Sequence, residues 1–183
     1  MPKPDEVVNK SNAYIDKGDV LYDLKRYEQA LEAYEQALQV DPHSSSASYG
    51  KGNALRHLKR YEEALEAYEH MLHVGPNAGH AYTSKGKVLL QLKHYEQALE
   101  AYEQALRLDP NDASYAYLGK GHALFSLERY EEALEAYEQA LQGNPLNAYY
   151  AYIGKGKVLR HLKRYEEALK AYEQASSLDP NNA

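Results

Sequence analysis

The chain has 183 residues, no cysteine and a formal net charge of −6. The lack of cysteine excludes disulfides and thiolate metal sites. No apolar run reaches the roughly 18 residues of a membrane span, and Met1–Lys10 has no signal-peptide core. A cytoplasmic protein is therefore expected.

One stretch rich in Tyr, Ala, Leu and Glu occurs five times, at intervals of 34, 34, 35 and 35 residues. Repetition at this period is typical of stacked supersecondary units. Within each copy the apolar residues recur at helical spacing and glutamates fill the other side, which predicts an amphipathic helix. The copies are Arg26–Leu38, Arg60–Leu72, His94–Leu106, Arg129–Leu141 and Arg164–Ser176.

In chain order, residues 1–10 are expected to form an N-terminal lead-in, and Ser11 is expected to cap the first helix. The pair Asp41-Pro42 ends the second helix, because a residue before proline is disfavoured in helical conformation. The matching stop signals in the later repeats are Pro76, Pro110, Pro145 and Pro180. The extra residues of the two 35-residue intervals lie between Pro110 and Tyr117 and between Pro145 and Tyr152, and each is expected to lengthen a turn or a helix start.

Each repeat also has a glycine in its first helix. Gly18 is the first of these, and a mid-helix glycine is unfavourable by about 1 kcal/mol against alanine, which indicates that a neighbouring helix needs the space. The same position is occupied by Gly52, Gly86, Gly121 and Gly156.

These features together resemble the tetratricopeptide repeat. In the first repeat the matching residues are Tyr14, Gly18, Leu21, Tyr27, Ala30, Tyr34, Ala37 and Pro42. The resemblance implies an all-α, right-handed superhelical α-solenoid of five helix-turn-helix units, whose first helices line a concave groove for a peptide or partner segment. The repeat domain is expected over residues 11–183, with units of about 11–44, 45–78, 79–113, 114–148 and 149–183.

Two features depart from the family pattern. A lysine precedes each glycine where an aliphatic residue is usual, and we expect its stem to lie along apolar surface with the amine in water. The last helix has no following unit to cover Leu169 and Tyr172, which suggests a fragment of a longer array, end-to-end stacking, or tolerance of an exposed face. The lysines are Lys17, Lys51, Lys85, Lys120 and Lys155.

Charge is segregated between the two kinds of helix. The five copies of the second helix contain 17 of the 27 acidic residues, whereas the first helices of repeats two to five contain none. The first repeat reverses this with Asp16, Asp19 and Asp23, of which Asp19 and Asp23 are at groove-facing positions by helical spacing. If the family geometry holds, the acids face outward and the groove is basic, which favours an acidic partner.

Helical spacing predicts which residues face the groove. We expect Arg56, Lys87, Lys157 and Arg160 to hold an acidic segment or a free C-terminal carboxylate, while aromatic side chains, Tyr150 among them, add apolar contacts. The predicted groove residues are Tyr49, Asn53, Arg56, His57, Lys87, Gln91, His122, Phe125, Lys157, Arg160 and His161.

Other function classes are less well supported by the residues. A metal site built on His70 with His73, or on His57 with His80, lacks a third ligand. Nucleic acid is disfavoured by the overall acidity, and a chaperone-type carboxylate clamp would need more matching residues than Asn53. No nucleophile, phosphate loop or carboxylate pair suggests an enzyme or a cofactor. The main alternative is a structural module that assembles end to end into homo-oligomers.

Overall fold

The computed structural model describes residues 4–74, 78–109, 113–143 and 145–178, and these residues form ten α-helices and no β-strand. The chain divides into two compact units, Met1–Val88 and Leu89–Ala183. The all-α prediction is confirmed. The helices are α1 (Pro4–Asp23), α2 (Tyr27–Val40), α3 (Ser45–His57), α4 (Tyr61–Val74), α5 (Ala78–Gln91), α6 (Tyr95–Leu108), α7 (Ala113–Ser126), α8 (Tyr130–Ala140), α9 (Pro145–His161) and α10 (Tyr165–Ser177).

Each odd-numbered helix is joined to the next helix by a three-residue turn. In the first turn Lys25 has a φ of 59°, and the amide of Arg26 donates to the carbonyl oxygen of Leu21 at 2.9 Å. This is the Schellman arrangement, in which a left-handed residue ends a helix and reverses the chain. Positive φ recurs at Lys59, Lys93, Glu128 and Lys163. The same local geometry therefore produces all five helix pairs.

The N-terminal lead-in is helical from Pro4 onward, and the expectation that Ser11 caps the first helix is wrong. Ser11 lies inside α1, is only 1% exposed, and donates its hydroxyl to the carbonyl oxygen of Ala37 at 3.2 Å. The side chain is satisfied by the neighbouring helix rather than by its own helix terminus. Residues 4–10 thus extend the first helix instead of leading into it.

Two of the predicted stop signals lie within the described residues, and they behave differently. Helix α2 ends at Val40 with Asp41 as C-cap, as predicted. Pro145 is not a stop signal, because α8 already ends at Ala140 and Pro145 is the first residue of α9, a position where proline loses no hydrogen bond. Helix α9 has 17 residues, three more than α7, so the helix start is lengthened here, whereas Pro76, Pro110 and Pro180 lie outside the described residues.

In α2, α4, α8 and α10 a tyrosine ring lies directly on a glycine of the helix before it. A Cβ atom built on Gly18 would lie 2.6 Å from Cε1 of Tyr34, and one on Gly121 would lie 2.6 Å from Cε1 of Tyr137. Real Cβ atoms do not approach so closely. The close helix approach predicted at these glycines is confirmed.

The same tyrosine rings also contact the next helix pair. A Cβ on Gly50 would overlap the ring of Tyr34, and one on Gly154 would overlap the ring of Tyr137. Both rings are at most 2% exposed. The tyrosine is therefore enclosed between a glycine of its own pair and a glycine of the following pair, and it connects one repeat to the next.

We expect Gly121→Ala to lower the free energy of unfolding by about 2 kcal/mol, because overpacking against the buried ring of Tyr137 outweighs the better helix propensity of alanine. Gly156→Ala is the matched control, since Tyr172 is partly exposed and can move away. Its loss should be clearly smaller. Urea unfolding followed by circular dichroism measures both, and equal losses would contradict this packing scheme.

Candidate functional site

The predicted groove residues all lie on odd-numbered helices. Some are half-buried, namely Tyr49, Asn53, Arg56, Lys87 and Phe125. The others are exposed, namely His57, Gln91, His122, Lys157, Arg160 and His161. The structure thus separates residues that belong partly to the packing from residues that stand in solvent.

In the first, second and fourth helix pairs, one position of the first helix contacts the hydroxyl or the ring of the core tyrosine of that pair. The hydroxyl of Tyr34 donates to Oδ1 of Asp19 at 2.6 Å, and that of Tyr68 donates to Oδ1 of Asn53 at 2.9 Å. In the fourth pair the ring of His122 meets Tyr137 edge to face, with centroids 5.6 Å apart. The core tyrosine therefore fixes the orientation of a polar side chain at the surface.

Arg56 is engaged in the structure rather than extended into solvent. Its Nη2 lies 3.3 Å from Nε2 of His57, and its charge lies close to the hydroxyls of Tyr22 and Tyr68. Burial raises the pKa of the Tyr68 hydroxyl, and the nearby Arg56 charge partly opposes this. Arg56 is half-buried and already contacts His57. We therefore expect its charge to affect the surface potential and not to contact a ligand directly.

His57 takes part in a cluster of three rings in the first compact unit. Its ring stacks on Tyr27 at a centroid distance of 4.5 Å and meets Tyr22 edge to face at 5.3 Å. Such ring pairs stabilise packing beyond the area they bury. Sequence reasoning placed His57 in the groove but did not predict that its ring packs between repeats.

The second compact unit repeats this cluster with Phe125, Tyr130 and His161. The ring of His161 stacks on Tyr130 at 5.5 Å and meets Phe125 edge to face at 5.2 Å. Phe125 and His161, both predicted groove residues, are thus brought into contact. The sequence signal that could have revealed both clusters is an aromatic residue in one first helix followed by histidine one repeat later.

Desolvation affects two of the histidines. Burial lowers the pKa of His57, and the adjacent Arg56 charge lowers it further. The pKa of His122 is lowered first by desolvation and then by the positive charge of Lys157. Although the ring of His122 is open to solvent, the surrounding protein and a neighbouring cation both favour its neutral form.

The lysines that precede the glycines form ion pairs between successive helix pairs. Lys51 Nζ lies 3.1 Å from Glu35, and Lys155 Nζ lies 2.8 Å from Glu138. Lys85 with Glu69, and Lys120 with Glu103, repeat the contact at 2.8 and 3.0 Å. These half-buried lysines do place their amines at the surface, but a glutamate next to the core tyrosine receives each one. Their charge is therefore largely balanced.

The exposed cations Lys157 and Arg160 lie on α9, Lys157 lies close to His122 of α7, and we call these three residues the basic surface. Lys157 and Arg160 are exposed side chains of α9, and neither α7 nor α9 contains a carboxylate. The half-buried ring of Phe125 lies on the same helix as His122. An incoming anion would meet charge and an apolar ring there.

The first compact unit presents a different surface. A cleft of ≈ 620 Å³ opens between residues of α1 and α3, and its walls include Asp19, Asp23, Tyr22, Tyr34 and Tyr49. We call it the acidic cleft. Sequence reasoning assigned Asp19 and Asp23 to groove positions but not to the candidate site, and the signal it left unused was the reversed charge of the first repeat.

The remaining histidines give no sign of a metal site. His70 Nδ1 lies 2.8 Å from the hydroxyl of Ser48. Within the part of the chain that the structure describes, no three His, Asp or Glu side chains are grouped so that they could hold a metal ion. The same residues include no helix with the length and apolarity needed to span a bilayer.

A family model described as "Tetratricopeptide repeat" matches residues 15–81, 60–113, 83–148 and 118–183, which together span nearly the whole chain. The chain belongs to the tetratricopeptide repeat family. Proteins of this family are generally non-catalytic scaffolds for protein interactions. The paired helices and the tyrosine–glycine contacts described above are the local form that the repeat takes in this chain.

Solved tetratricopeptide repeat structures have the same fold. The chain is 28% identical to YrrB, described as a protein with an unusual peptide-binding site, covering 91% of this chain and 85% of YrrB with a TM-score of 0.71. It is 24% identical to MamA from Desulfovibrio magneticus RS-1, covering 94% and 96% of the two chains with a TM-score of 0.81. No curated protein matches the chain significantly.

We expect the imidazole of His57 to titrate below its ordinary pKa of about 6.5, because both desolvation and Arg56 disfavour its charged form. A histidine with a lowered folded-state pKa stabilises the fold above the unfolded pKa, and this stability is lost as the pH falls through the lowered value. NMR titration of the ring measures the midpoint.

Arg56→Leu should raise the midpoint toward, but not to, the ordinary value, since desolvation is the larger cause. Arg60→Leu, which removes an exposed cation from the following turn, serves as the control and should leave the midpoint unchanged. A midpoint at or above the ordinary value in the unmodified chain would contradict the assignment.

Proposed function

We propose that the chain is a non-catalytic scaffold that binds an acidic segment, or a free C-terminal carboxylate, of another protein on the basic surface. The observation that carries the proposal is the pairing of the other lysines. Lys120 and Lys155 are already engaged with glutamates, so Lys157 and Arg160 are the exposed cations that α9 offers to an incoming carboxylate.

The chemistry of these side chains suits a carboxylate. The guanidinium of Arg160 can donate two parallel hydrogen bonds to both oxygens of such a group, and Lys157 adds a point charge three residues away. Because α7 and α9 carry no acid, nothing on these helices repels an anion. Phe125 supports the proposal as a nearby apolar contact, whereas Arg56 and Lys87 are half-buried residues of the first compact unit.

We expect Lys157→Glu combined with Arg160→Glu to weaken binding of an acidic peptide by more than about tenfold, because two attractions become repulsions. Lys170→Glu is the control for net charge, since Lys170 is an exposed lysine of α10 and should have little effect. Titration calorimetry with a peptide of alternating glutamate and alanine, ending in a free carboxylate, measures the affinities. Equal affinity for all variants would refute the assignment to this surface.

Self-association through α10 is a second candidate function. On this helix Tyr165 is 58% and Leu169 is 60% exposed, whereas the equivalent Leu31 of α2 is 6% exposed and is covered within the chain. Such an apolar face favours a protein contact. At the other end, α1 has the exposed Asp16 where α3, α5, α7 and α9 have buried Gly50, Ser84, Gly119 and Gly154.

If α1 of one molecule packs on α10 of another, Asp16 opposes that contact, because burying an unpaired carboxylate is unfavourable. We expect Asp16→Ser to promote concentration-dependent growth in mass, since Ser84 shows that serine fits the equivalent position. Asp16→Glu keeps the carboxylate and should behave like the unmodified chain. Light scattering over a hundredfold concentration range measures the mass. A strictly monomeric Asp16→Ser variant would remove support for stacking.

A further inference from the structure

We propose that the acidic cleft of the first compact unit binds a lysine or arginine side chain of a partner protein. The proposal goes beyond the basic surface, which lies on other helices and would take the opposite charge. It shares with the proposed function only the premise that the partner is a protein.

The cleft is a formed cavity and not only a group of acids. Its volume of ≈ 620 Å³ lies in the range of pockets that accommodate small ligands. Tyr22, Tyr34 and Tyr49 supply aromatic walls, and Ile15 and Met71 add apolar surface for the methylene groups of a long side chain. Aromatic rings also attract a cation placed over their faces.

The polar part of the wall is negative. Asp19 and Asp23 both line the cleft, and among the described residues no lysine or arginine forms an ion pair with either of them. The hydroxyl of Tyr34 donates to Asp19 at 2.6 Å, which holds that carboxylate in one orientation. A fixed carboxylate stabilises an incoming cation without losing further side-chain freedom on binding.

The arrangement selects for charge and for a long side chain. Two carboxylates repel an anionic group. A neutral apolar group would exclude water from these carboxylates without giving them an ionic or hydrogen-bonding partner. Arg56 lies close to Tyr22 but not in the lining of the cleft. His80 also lines the cleft.

The chain itself suggests the best variant. Asn53 accepts the hydroxyl hydrogen bond of Tyr68 at 2.9 Å, in the same way that Asp19 accepts that of Tyr34. Asp19→Asn is therefore expected to keep the hydrogen bond and the fold while it removes the charge. Asp23→Asn removes the second charge from an exposed position. Asp16→Asn, on the same helix but outside the cleft, is the matched control, and it is titrated at a protein concentration where light scattering shows a monomer.

The experiment is an NMR titration of the whole chain with the blocked peptide acetyl-Ala-Lys-Ala-amide, compared with the same peptide acetylated at the lysine amine. We expect saturable shifts centred on Asp19, Tyr22 and Asn53 with the lysine peptide alone. The Asp19→Asn, Asp23→Asn double variant should bind it at least about tenfold more weakly, and Asp16→Asn should bind as the unmodified chain does.

Three results would overturn the proposal. These are equal binding of the acetylated peptide, an equal loss in Asp16→Asn, and shifts spread evenly over the glutamate-rich even-numbered helices. The two proposals fail separately. The Asp19→Asn, Asp23→Asn variant should bind the acidic peptide normally, and the Lys157→Glu, Arg160→Glu variant should bind the lysine peptide normally.

Discussion

Within each compact unit the packing depends on a tyrosine ring that lies against glycines. Tyr34 contacts Gly18 of its own helix pair and Gly50 of the next, and Tyr137 contacts Gly121 and Gly154 in the same way. A flat ring can occupy this space only because neither glycine has a Cβ atom, so helices approach closely on both sides of it. The tyrosine at this position thereby fixes the packing within a helix pair and the packing between pairs. Each repeat is therefore stabilised by its contacts with the adjacent repeats.

The hydroxyl of the same tyrosine and the glutamate that follows it extend this contact to the surface. The hydroxyl of Tyr34 holds Asp19, while Glu35 receives Lys51 from the next helix pair. Exposed ion pairs of this kind contribute little stability individually. Their larger effect here is on charge, because each one balances a lysine that would otherwise add to the surface of the first helices. The potential offered to a partner is therefore set by fewer residues than the composition suggests.

The helices and their pairing could be predicted because the repeat presents the same evidence five times. Period, helical spacing and the mid-helix glycines all led to the observed pairs. The ends were harder: Ser11 has the residue type of a cap but satisfies its hydroxyl on Ala37, and Pro145 starts a helix instead of ending one. The lysine pairs and the histidine contacts of the ring clusters were missed, since they join side chains 16 or more residues apart that no local pattern links.

The candidate surfaces differ because one position is released from the packing. The residue that follows the mid-helix glycine is Asp19, Asn53, Lys87, His122 and Lys157 in successive repeats, while the glycine and the tyrosine of the second helix stay the same. Asp19 and Asn53 show that both a charged and a neutral acceptor satisfy the hydroxyl equally well. The fold requires only that the side chain at this position can lie next to the tyrosine ring. Its charge can therefore change from negative to positive along the chain while the fold is kept. Partner recognition is therefore expected to differ between repeats that are otherwise alike. The residues that determine binding are then different from the tyrosines and glycines that stabilise the fold.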